Sequence, residues 1–419
     1  MTSGLTVSFH ELRCVGHALA AIPSLGQANA HLRIAGAFTM HRPRYEELSA
    51  EMVRHVQTLR TIVGAVFGND WPRLATRLGY PIPARKLLPS NSDGELDPFT
   101  MGRIDFVVSG GVPRIVEFNM TSSMGSTAGI EKMQRDLASC SALGPAGTPN
   151  QARLNVVRDQ LQRSPSKLVY LPTWPWSHIP DPADFFRESC DYLAQHGATV
   201  HLVDLLSLRD HLDRHPEAIV LRLFDTCDAL AAGIDLCGIG LGSAVRGRWI
   251  MSEVPNVVSS KSLLACRALQ EAIGDGQGYL APTWQVVGTG NRDDALQTID
   301  VSVLAEQKSR YVLKPAYGHS GQHVVIGAQV RENEWRSALR MSQESPFVAQ
   351  RWYAPDRVSV TFHDLRTSGT TTIATPAVFG MYVIGDQAEG VLVRVQPERD
   401  PQGAINSGRG AVVSALMLQ

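Results

Sequence analysis

Three oxygen-bearing side chains stand close together in this chain. Asp105 lies in Arg103-Ile104-Asp105-Phe106-Val107-Val108, and Glu117 and Asn119 lie in Arg114-Ile115-Val116-Glu117-Phe118-Asn119. Both segments alternate like strands and Ser109-Gly110-Gly111 between them reads as a turn, so a β-hairpin is expected. Residues two apart on a strand share a face, which groups Arg103 with Asp105 and Glu117 with Asn119. Two carboxylates and an amide oxygen are hard ligands of the kind magnesium takes alongside water and phosphate oxygens. An arginine beside them can grip a phosphoryl oxygen or a carboxylate through two hydrogen bonds. The same spacing also fits a solvated sheet face carrying exposed ion pairs.

A second candidate is Tyr311-Val312-Leu313-Lys314-Pro315, followed by Gly318, Gly321 and Val324-Val325-Ile326-Gly327. A lysine ending an apolar strand is costly to bury without an anion. Glycines after it let backbone N–H groups come close to a polyphosphate. A plain hairpin whose lysine reaches solvent is the alternative. Pro346-Phe347-Val348-Ala349-Gln350 is a short apolar strand ending in a polar side chain, suited to lining an adenine slot or simply to a buried sheet. Arg394, in Gly390-Val391-Leu392-Val393-Arg394, leaves a buried strand, where it can stabilise a transferred phosphoryl group or lie on the surface.

Other chemistries find no support. There is no G-x-x-x-x-G-K-[ST] loop, no G-x-S-x-G elbow and no H-E-x-x-H pair. Gly238-Ile239-Gly240-Leu241-Gly242 does not follow the dinucleotide spacing. His211 and His215 sit four apart on an expected helix, placed for a metal ion or for plain solvation.

The elements that must position these residues read as α/β or α+β. Met52, Val56, Leu59, Val63 and Val66 mark an amphipathic helix over Tyr45 to Phe67, and the first hundred residues read as largely helical. From Lys167 onward short apolar strands (Lys167 to Leu171, Thr199 to Val203, Ala218 to Phe224) alternate with a helix over Pro182 to His196, which predicts a small parallel sheet. Ser259 to Ala272 reads as one helix that Ser259 or Ser260 can cap. Strands are expected over Arg310 to Lys314, Val324 to Ile326, Pro346 to Gln350, Val378 to Ile384 and Val391 to Val395.

The 419 residues allow two or three domains, and 39 basic against 40 acidic side chains leave no global field to draw in nucleic acid or an anionic membrane. No apolar run is long enough to span a bilayer, and no basic-then-apolar leader opens the chain. Six scattered cysteines without a CxxC pair argue against a zinc knuckle or a disulfide framework. A soluble, cytoplasmic protein is expected.

The order R-x-D, then E-x-N, then a serine–lysine-led helix, then K-P with a glycine loop, then P-F-V-x-Q resembles the permuted ATP-grasp enzymes typified by the synthetase domain of glutathionylspermidine synthase. The likeness covers residues 101–131 and 255–410. It implies an ATP-grasp fold of permuted order, divided into a mainly helical N-terminal segment (1–100), the magnesium hairpin and its loop (101–150), a small α/β unit (151–254) and the nucleotide-binding region (255–419). It further implies magnesium on Asp105, Glu117 and Asn119, and Arg103 against an acyl phosphate. Lys261 (in Ser259-Ser260-Lys261-Ser262) and Lys314 would grip ATP phosphates under Gly318 and Gly321. Gln350 would stand on the adenine side, and Arg394 would stabilise the transferred phosphate.

The activity implied is an ATP- and Mg2+-dependent ligase joining a small carboxylate to an amine, drawn from amino acids, short peptides or polyamine-like amines, with release of ADP and phosphate. A kinase-like phosphotransferase and a non-catalytic nucleotide-binding protein are the alternatives on the same scaffold. The chain differs from the family in lacking an amidase domain and in carrying His319-Ser320-Gly321-Gln322-His323 without the acidic residue that usually follows the glycine loop. The tail beyond Asn406-Ser407-Gly408-Arg409-Gly410 is brief, so a short C-terminal strand is expected.

Overall fold

The computed structural model describes residues 4–419 apart from 13–28, 30, 69, 89–95, 121–124, 174–181, 225, 235, 237–248, 251, 275–278, 288–292, 319–320 and 400. The Gly238 to Gly242 run and the Asn91 to Gly94 loop therefore lie outside the described residues. So do His319 and Ser320.

Strands β1 (Ser8–Glu11), β2 (Leu32–Ile34), β3 (Gly36–Met40), β4 (Met101–Ser109), β5 (Val112–Asn119) and β6 (Gly144–Pro145) open the chain. Next, β7 (Leu168–Thr173), β8 (Thr199–Asp204), β9 (Ile219–Leu221) and β10 (Trp249–Ile250) form a parallel sheet in the order β10-β9-β7-β8. A third group, β11 (Thr283–Val286), β12 (Thr298–Ile299), β13 (Tyr311–Pro315), β14 (Val325–Ile326) and β15 (Phe347–Arg351), is ordered β12-β11-β15-β13-β14. Finally β16 (Arg357–Asp364), β17 (Thr370–Ile384), β18 (Gln387–Val395) and β19 (Val412–Leu418) return to the first strands. They complete a sheet ordered β1-β3-β19-β18-β17-β16-β2, with β4 against β17, β5 beyond β4, and β6 against β19.

This large sheet is covered on both faces, and strand alternation decides which residue serves which layer. Phe379, Met381, Val391, Val393 and Leu416 face the helix Arg42–Phe67, which buries Met52, Val56, Leu59 and Val63 at helical spacing. Tyr382, Leu392, Ala415 and Met417 face the opposite way, with Ile130 and Leu137 of the helix Thr127–Ser139 and Val157 of the helix Pro149–Arg163. Each such aliphatic side chain contributes about 1.5–3 kcal/mol on burial. β17 is long enough to pair twice along one edge, with β16 over Thr370–Pro376 and with β4 over Phe379–Ile384. That second pairing joins the β4–β5 hairpin to the sheet.

Four expectations are corrected. The front hundred residues, read as largely helical, also supply β1, β2 and β3 to the large sheet. Ser259 to Ala272 is not one helix. A 3-10 turn over Lys261–Ala265 is capped by Ser260, whose side chain accepts from Ser262 N–H, and Cys266 is extended before the short turns Arg267–Leu269 and Gln270–Gly274. The break follows from tertiary bonds around Cys266, where Arg267 N–H donates to Ala295 O at 2.9 Å and Ala265 O accepts from Gln297 N–H at 2.7 Å instead of continuing the helical ladder. The C-terminal strand, expected to be short, runs for 7 residues and lies inside the large sheet, between β18 and β3. Cys140 is disulfide-bonded, whereas Cys190 and Cys266 are free.

A buried ion pair joins the parallel sheet to its neighbours. Arg222, leaving β9, pairs with Glu253, which also takes hydrogen bonds from Tyr80 and from Thr226. Glu253 opens the helix Val254–Val258 that delivers Ser259 and Lys261. Among the described residues no helix is long and apolar enough to cross a membrane.

Candidate functional site

The β4–β5 ladder sets Asp105 opposite Glu117 and Arg103 opposite Asn119, so all four side chains leave one face of the hairpin. It is the same face of the large sheet that carries Gly380 and Tyr382 on β17 and Arg394 on β18. Asp105 is the hub. Arg103 grips it through two bonds, Nε to Oδ1 at 2.7 Å and Nη2 to Oδ2 at 3.1 Å. Asn119 Nδ2 donates to Oδ2 at 3.1 Å, and Arg394 Nη2 stands 2.8 Å from the same oxygen.

Between Phe106↔Ile115 and Asp105↔Glu117 the register slips by one, so Val116 is the extra residue of a β-bulge. Its carbonyl, released from the ladder, accepts from Lys314 Nζ at 3.3 Å and from Gln350 Nε2 at 3.4 Å. The sheet of β11–β15 is thereby tied to the hairpin. Lys314 Nζ also donates to Gln350 Oε1 at 2.7 Å, and Gln350 Nε2 to Thr283 Oγ1 at 2.9 Å. The neighbouring residue, Ile115, bonds through its backbone to Tyr279 and Ala281, which holds the same seam closed.

Lys261 arrives from the third direction. Its Nζ lies 2.7 Å from Glu117 Oε1 and donates to Gly318 O at 3.0 Å, so it bridges the hairpin and the glycine loop. Ser259, two residues earlier, accepts from Met120 N–H at 2.7 Å and fixes the approach. Gly318 and Gly321 both have positive φ (139° and 69°), which an L side chain resists. At Gly321 a Cβ would also meet Ala404 Cβ at 2.8 Å, because the loop leans on the segment before β19.

The electrostatics follow from burial. Burial pushes the Asp105 carboxyl up, but the Arg103 and Arg394 guanidiniums outweigh it and hold the group down at about 2. Burial also disfavours the charge on Arg103, and Asp105 more than reverses that, leaving its pKa above the ordinary value. Among the described residues no carboxylate forms an ion pair with Lys314, whose Nζ bonds Gln350 and the Val116 carbonyl. Burial pulls the lysine down to about 8, with Glu117 opposing the fall and Lys261 adding to it. Four cationic side chains (Arg103, Lys261, Lys314, Arg394) thus surround two carboxylates (Asp105, Glu117), a surplus suited to a polyanion.

The structure therefore brings together Arg103, Asp105, Glu117, Asn119, Lys261, Lys314, Gln350, Arg394 and Gly318, with Gly321 farther out along the loop. Sequence reading took Ser259 only as a helix cap, and it missed Gly380, Thr283 and Tyr382. None has a local signal. Gly380 leaves room for Asp105 and Arg103 across the ladder, and Tyr382 stands opposite Arg103 with its hydroxyl donating to Gly125 O at 2.8 Å. Burial lifts the Tyr382 phenol to about 12, so it stays a donor. His211 and His215 lie beside the Tyr170 ring, with centroids 5.4 and 6.3 Å away, and among the described residues no group of three or more His, Cys, Asp or Glu could hold a metal ion.

No protein-family model matches this sequence, and no curated protein matches it. Among solved structures, a glutathione synthetase-like effector from Globodera pallida in its apo form is similar, with a TM-score of 0.55 and 12% identity over 93% of this chain and 90% of that one. The fold is shared. A protein provisionally described as a gamma-glutamylcysteine synthetase from Methylobacillus flagellatus is more distant, with a TM-score of 0.39 and 10% identity over 87% of this chain and 88% of that one.

Proposed function

We propose that this chain is an ATP-dependent carboxylate–amine ligase of the ATP-grasp type, forming an amide through an acyl phosphate on an amino acid or small peptide. The observation that carries the reading is the meeting of three chain segments at one bulged hairpin. Oxygen ligands come from β4 and β5, and buried lysines come from β13 and the turn after Ser260, with a net positive surplus. The fold shared with a glutathione synthetase-like effector supports it.

The residues fit magnesium and a nucleotide triphosphate. Asp105, Glu117 and Asn119 supply only oxygen ligands on one face, and Glu117 is the most open of the charged pair partners, with 22% of its side chain exposed. Among the described residues Lys314, a buried cation, bonds Gln350 and a backbone carbonyl and pairs with no carboxylate, so a phosphate would bring it a counter-charge. Bound there, magnesium would neutralise phosphate charge and orient the transferred group.

In this mechanism Lys261 and Lys314 hold the phosphates of ATP, and Gln350 stands at the end of the apolar strand that would line the base. A substrate carboxylate oxygen attacks the γ-phosphorus, the bond to the β,γ-bridging oxygen breaks, and ADP leaves with that electron pair. Arg103 and Arg394, paired with Asp105, would stabilise the charge of the acyl phosphate. An amine then attacks the acyl carbon, phosphate leaves with the C–O electron pair, and the amine proton passes to solvent. Catalysis is positioning and charge neutralisation, and no side-chain nucleophile is required.

The test is ADP and phosphate release with magnesium-ATP over pools of amino acids, short peptides and polyamines, with mass spectrometry of the products. ADP together with a dehydrated conjugate establishes the ligase. AMP with pyrophosphate would sink the acyl-phosphate route, and a phosphorylated product formed without amine would make the protein a phosphotransferase.

A further inference from the structure

Two of the groups that hold Lys261 sit on either side of Tyr317. Ala316 O accepts its backbone N–H at 2.9 Å and Gly318 O accepts its Nζ at 3.0 Å, so the course of Pro315-Ala316-Tyr317-Gly318 sets where the ammonium stands. The turn carrying Lys261 cannot hold that position by itself. It follows the helix Val254–Val258, whose 5 residues are too few to be stable in isolation, so both ends must be fixed from outside. Ser259 fixes the far end by accepting from Met120 N–H, and Glu253 fixes the start.

Glu253 is only 2% exposed, and its two oxygens face different directions. Oε2 takes Arg222 and the Thr226 hydroxyl, the latter at 2.6 Å, from the side of the parallel sheet. Oε1 takes the Tyr80 hydroxyl. The Tyr80 ring then stands edge-on to the Tyr317 ring, with centroids 4.7 Å apart and planes 69° apart. Its chain neighbour presses on the same strand end. Gly79 has a φ of 72°, and a Cβ there would lie 2.6 Å from Pro346 Cγ. Pro346 O in turn accepts the Ala316 N–H at 2.8 Å. Gly79 and Tyr80 thus brace Ala316 and Tyr317, while the Tyr80 hydroxyl ties that brace to the start of the helix leading to Lys261.

We propose that Tyr80 is a positioning residue for Lys261: its ring sets the strand end whose carbonyls hold the lysine, and its hydroxyl sets the helix that delivers it. Both halves of the grip are thereby kept in one register. Tyr80 is 1% exposed, so it acts through Lys261 and meets no ligand itself. The segment ahead of the hairpin gains a role in the site without contributing a group to it. That the positioned lysine holds a nucleotide phosphate rests on the ligase reading.

The test compares two variants of the full chain that each lose one bond to Glu253. Tyr80→Phe keeps the ring and loses the hydroxyl, and Thr226→Val loses a hydroxyl on the side of the parallel sheet. Each is read by melting, by the calorimetric Kd for magnesium with a non-hydrolysable ATP analogue, and by hydrogen exchange over residues 259–266 against residues 112–118. Tyr80→Phe should raise Kd about fivefold to tenfold, most of what one lost charge-assisted contact costs, and should speed exchange over the first segment relative to the second. Thr226→Val should lower Tm at least as far and leave Kd and the exchange ratio within about twofold of wild type. Equal changes in Kd for the two variants, or none in Tyr80→Phe, overturn the assignment. Should Tyr80→Phe not fold, Tyr317→Leu cuts the ring contact from the loop side and should raise Kd in the same way, and an unchanged Kd there also overturns it. Failure of the ligase reading looks different. Wild type that binds no nucleotide defeats that reading, and the exchange ratio then decides: raised in Tyr80→Phe it keeps the positioning role, unchanged it removes it. ADP release with an unchanged Kd in Tyr80→Phe keeps the ligase and removes the role.

Discussion

Gly380 stands directly opposite Asp105 in the β17–β4 ladder, and a Cβ at that glycine would lie 2.7 Å from Asp105 Oδ1 and 2.7 Å from Arg103 Cδ. The missing side chain is what lets Arg103 fold back onto Asp105 with both of its bonds intact. Gly380→Ala should therefore displace the Arg103–Asp105 pair while keeping the sheet, at an overpacking cost of about 1–3 kcal/mol. The check is a melting curve beside the ADP-release rate: a rate that falls at least about tenfold with a small loss of Tm is the expected pattern. A variant as active as wild type would show that the pair's geometry is not used.

Glu117→Gln keeps the shape of the side chain and removes its charge. Glu117 is partly exposed and pairs with Lys261, so the fold should hold, while magnesium-dependent ADP release should drop by about a hundredfold or more. Magnesium titration of the residual rate reads the cause, because a lost ligand raises the concentration needed for half-maximal rate.

On the proposed reading Lys314 should make nucleotide binding depend on pH. Its folded pKa of about 8 lies below the ordinary 10.5. Between those values the unfolded chain holds a proton that the folded chain has released, so stability rises with pH across the window, and below it burial of the ammonium costs stability. Nucleotide affinity should run the other way, since a polyphosphate held by Lys314 requires the ammonium form. Calorimetric titration with a non-hydrolysable ATP analogue should show affinity falling as pH rises through about 8. Lys314→Arg should flatten that profile, and Lys314→Ala should weaken binding at neutral pH by more than about tenfold.

Asp105 is the counter-charge for two buried guanidiniums. Asp105→Asn leaves Arg103 and Arg394 opposed by no carboxylate at the hub and should cost about 3–5 kcal/mol. Adding Arg394→Met to that variant should recover part of the loss, which chemical denaturation of the single and double variants would measure. Because the Asp105 carboxyl is held at about 2, below its usual 3.8, the stability it supplies is complete above the usual value and is lost only as pH falls through about 2.

What could be read from the sequence was local. Alternation marked β4 and β5, and the period of two placed Arg103, Asp105, Glu117 and Asn119 on one face. Apolar runs ending in Lys314 and Gln350 marked β13 and β15, and helical spacing marked Arg42–Phe67. These patterns are fixed by backbone geometry over a few residues, so they survive without knowledge of neighbours.

Tertiary structure decided everything that depends on a distant partner. Ser259 to Ala272 does not keep its helical period because Arg267 N–H and Ala265 O are taken by Ala295 and Gln297, farther along the chain. The N-terminal strands and β19 form only because each finds another strand to pair with, and an isolated strand has no such bonds. Val116 reads as an ordinary strand residue until the register slip frees its carbonyl for Lys314 and Gln350. Gly380 has no meaning until Asp105 is opposite it. The sequence by itself determined which side chains share a face, since that is set by the pleat. Which faces meet, and so whether four cations and two carboxylates become one site, was settled by packing between segments more than two hundred and fifty residues apart.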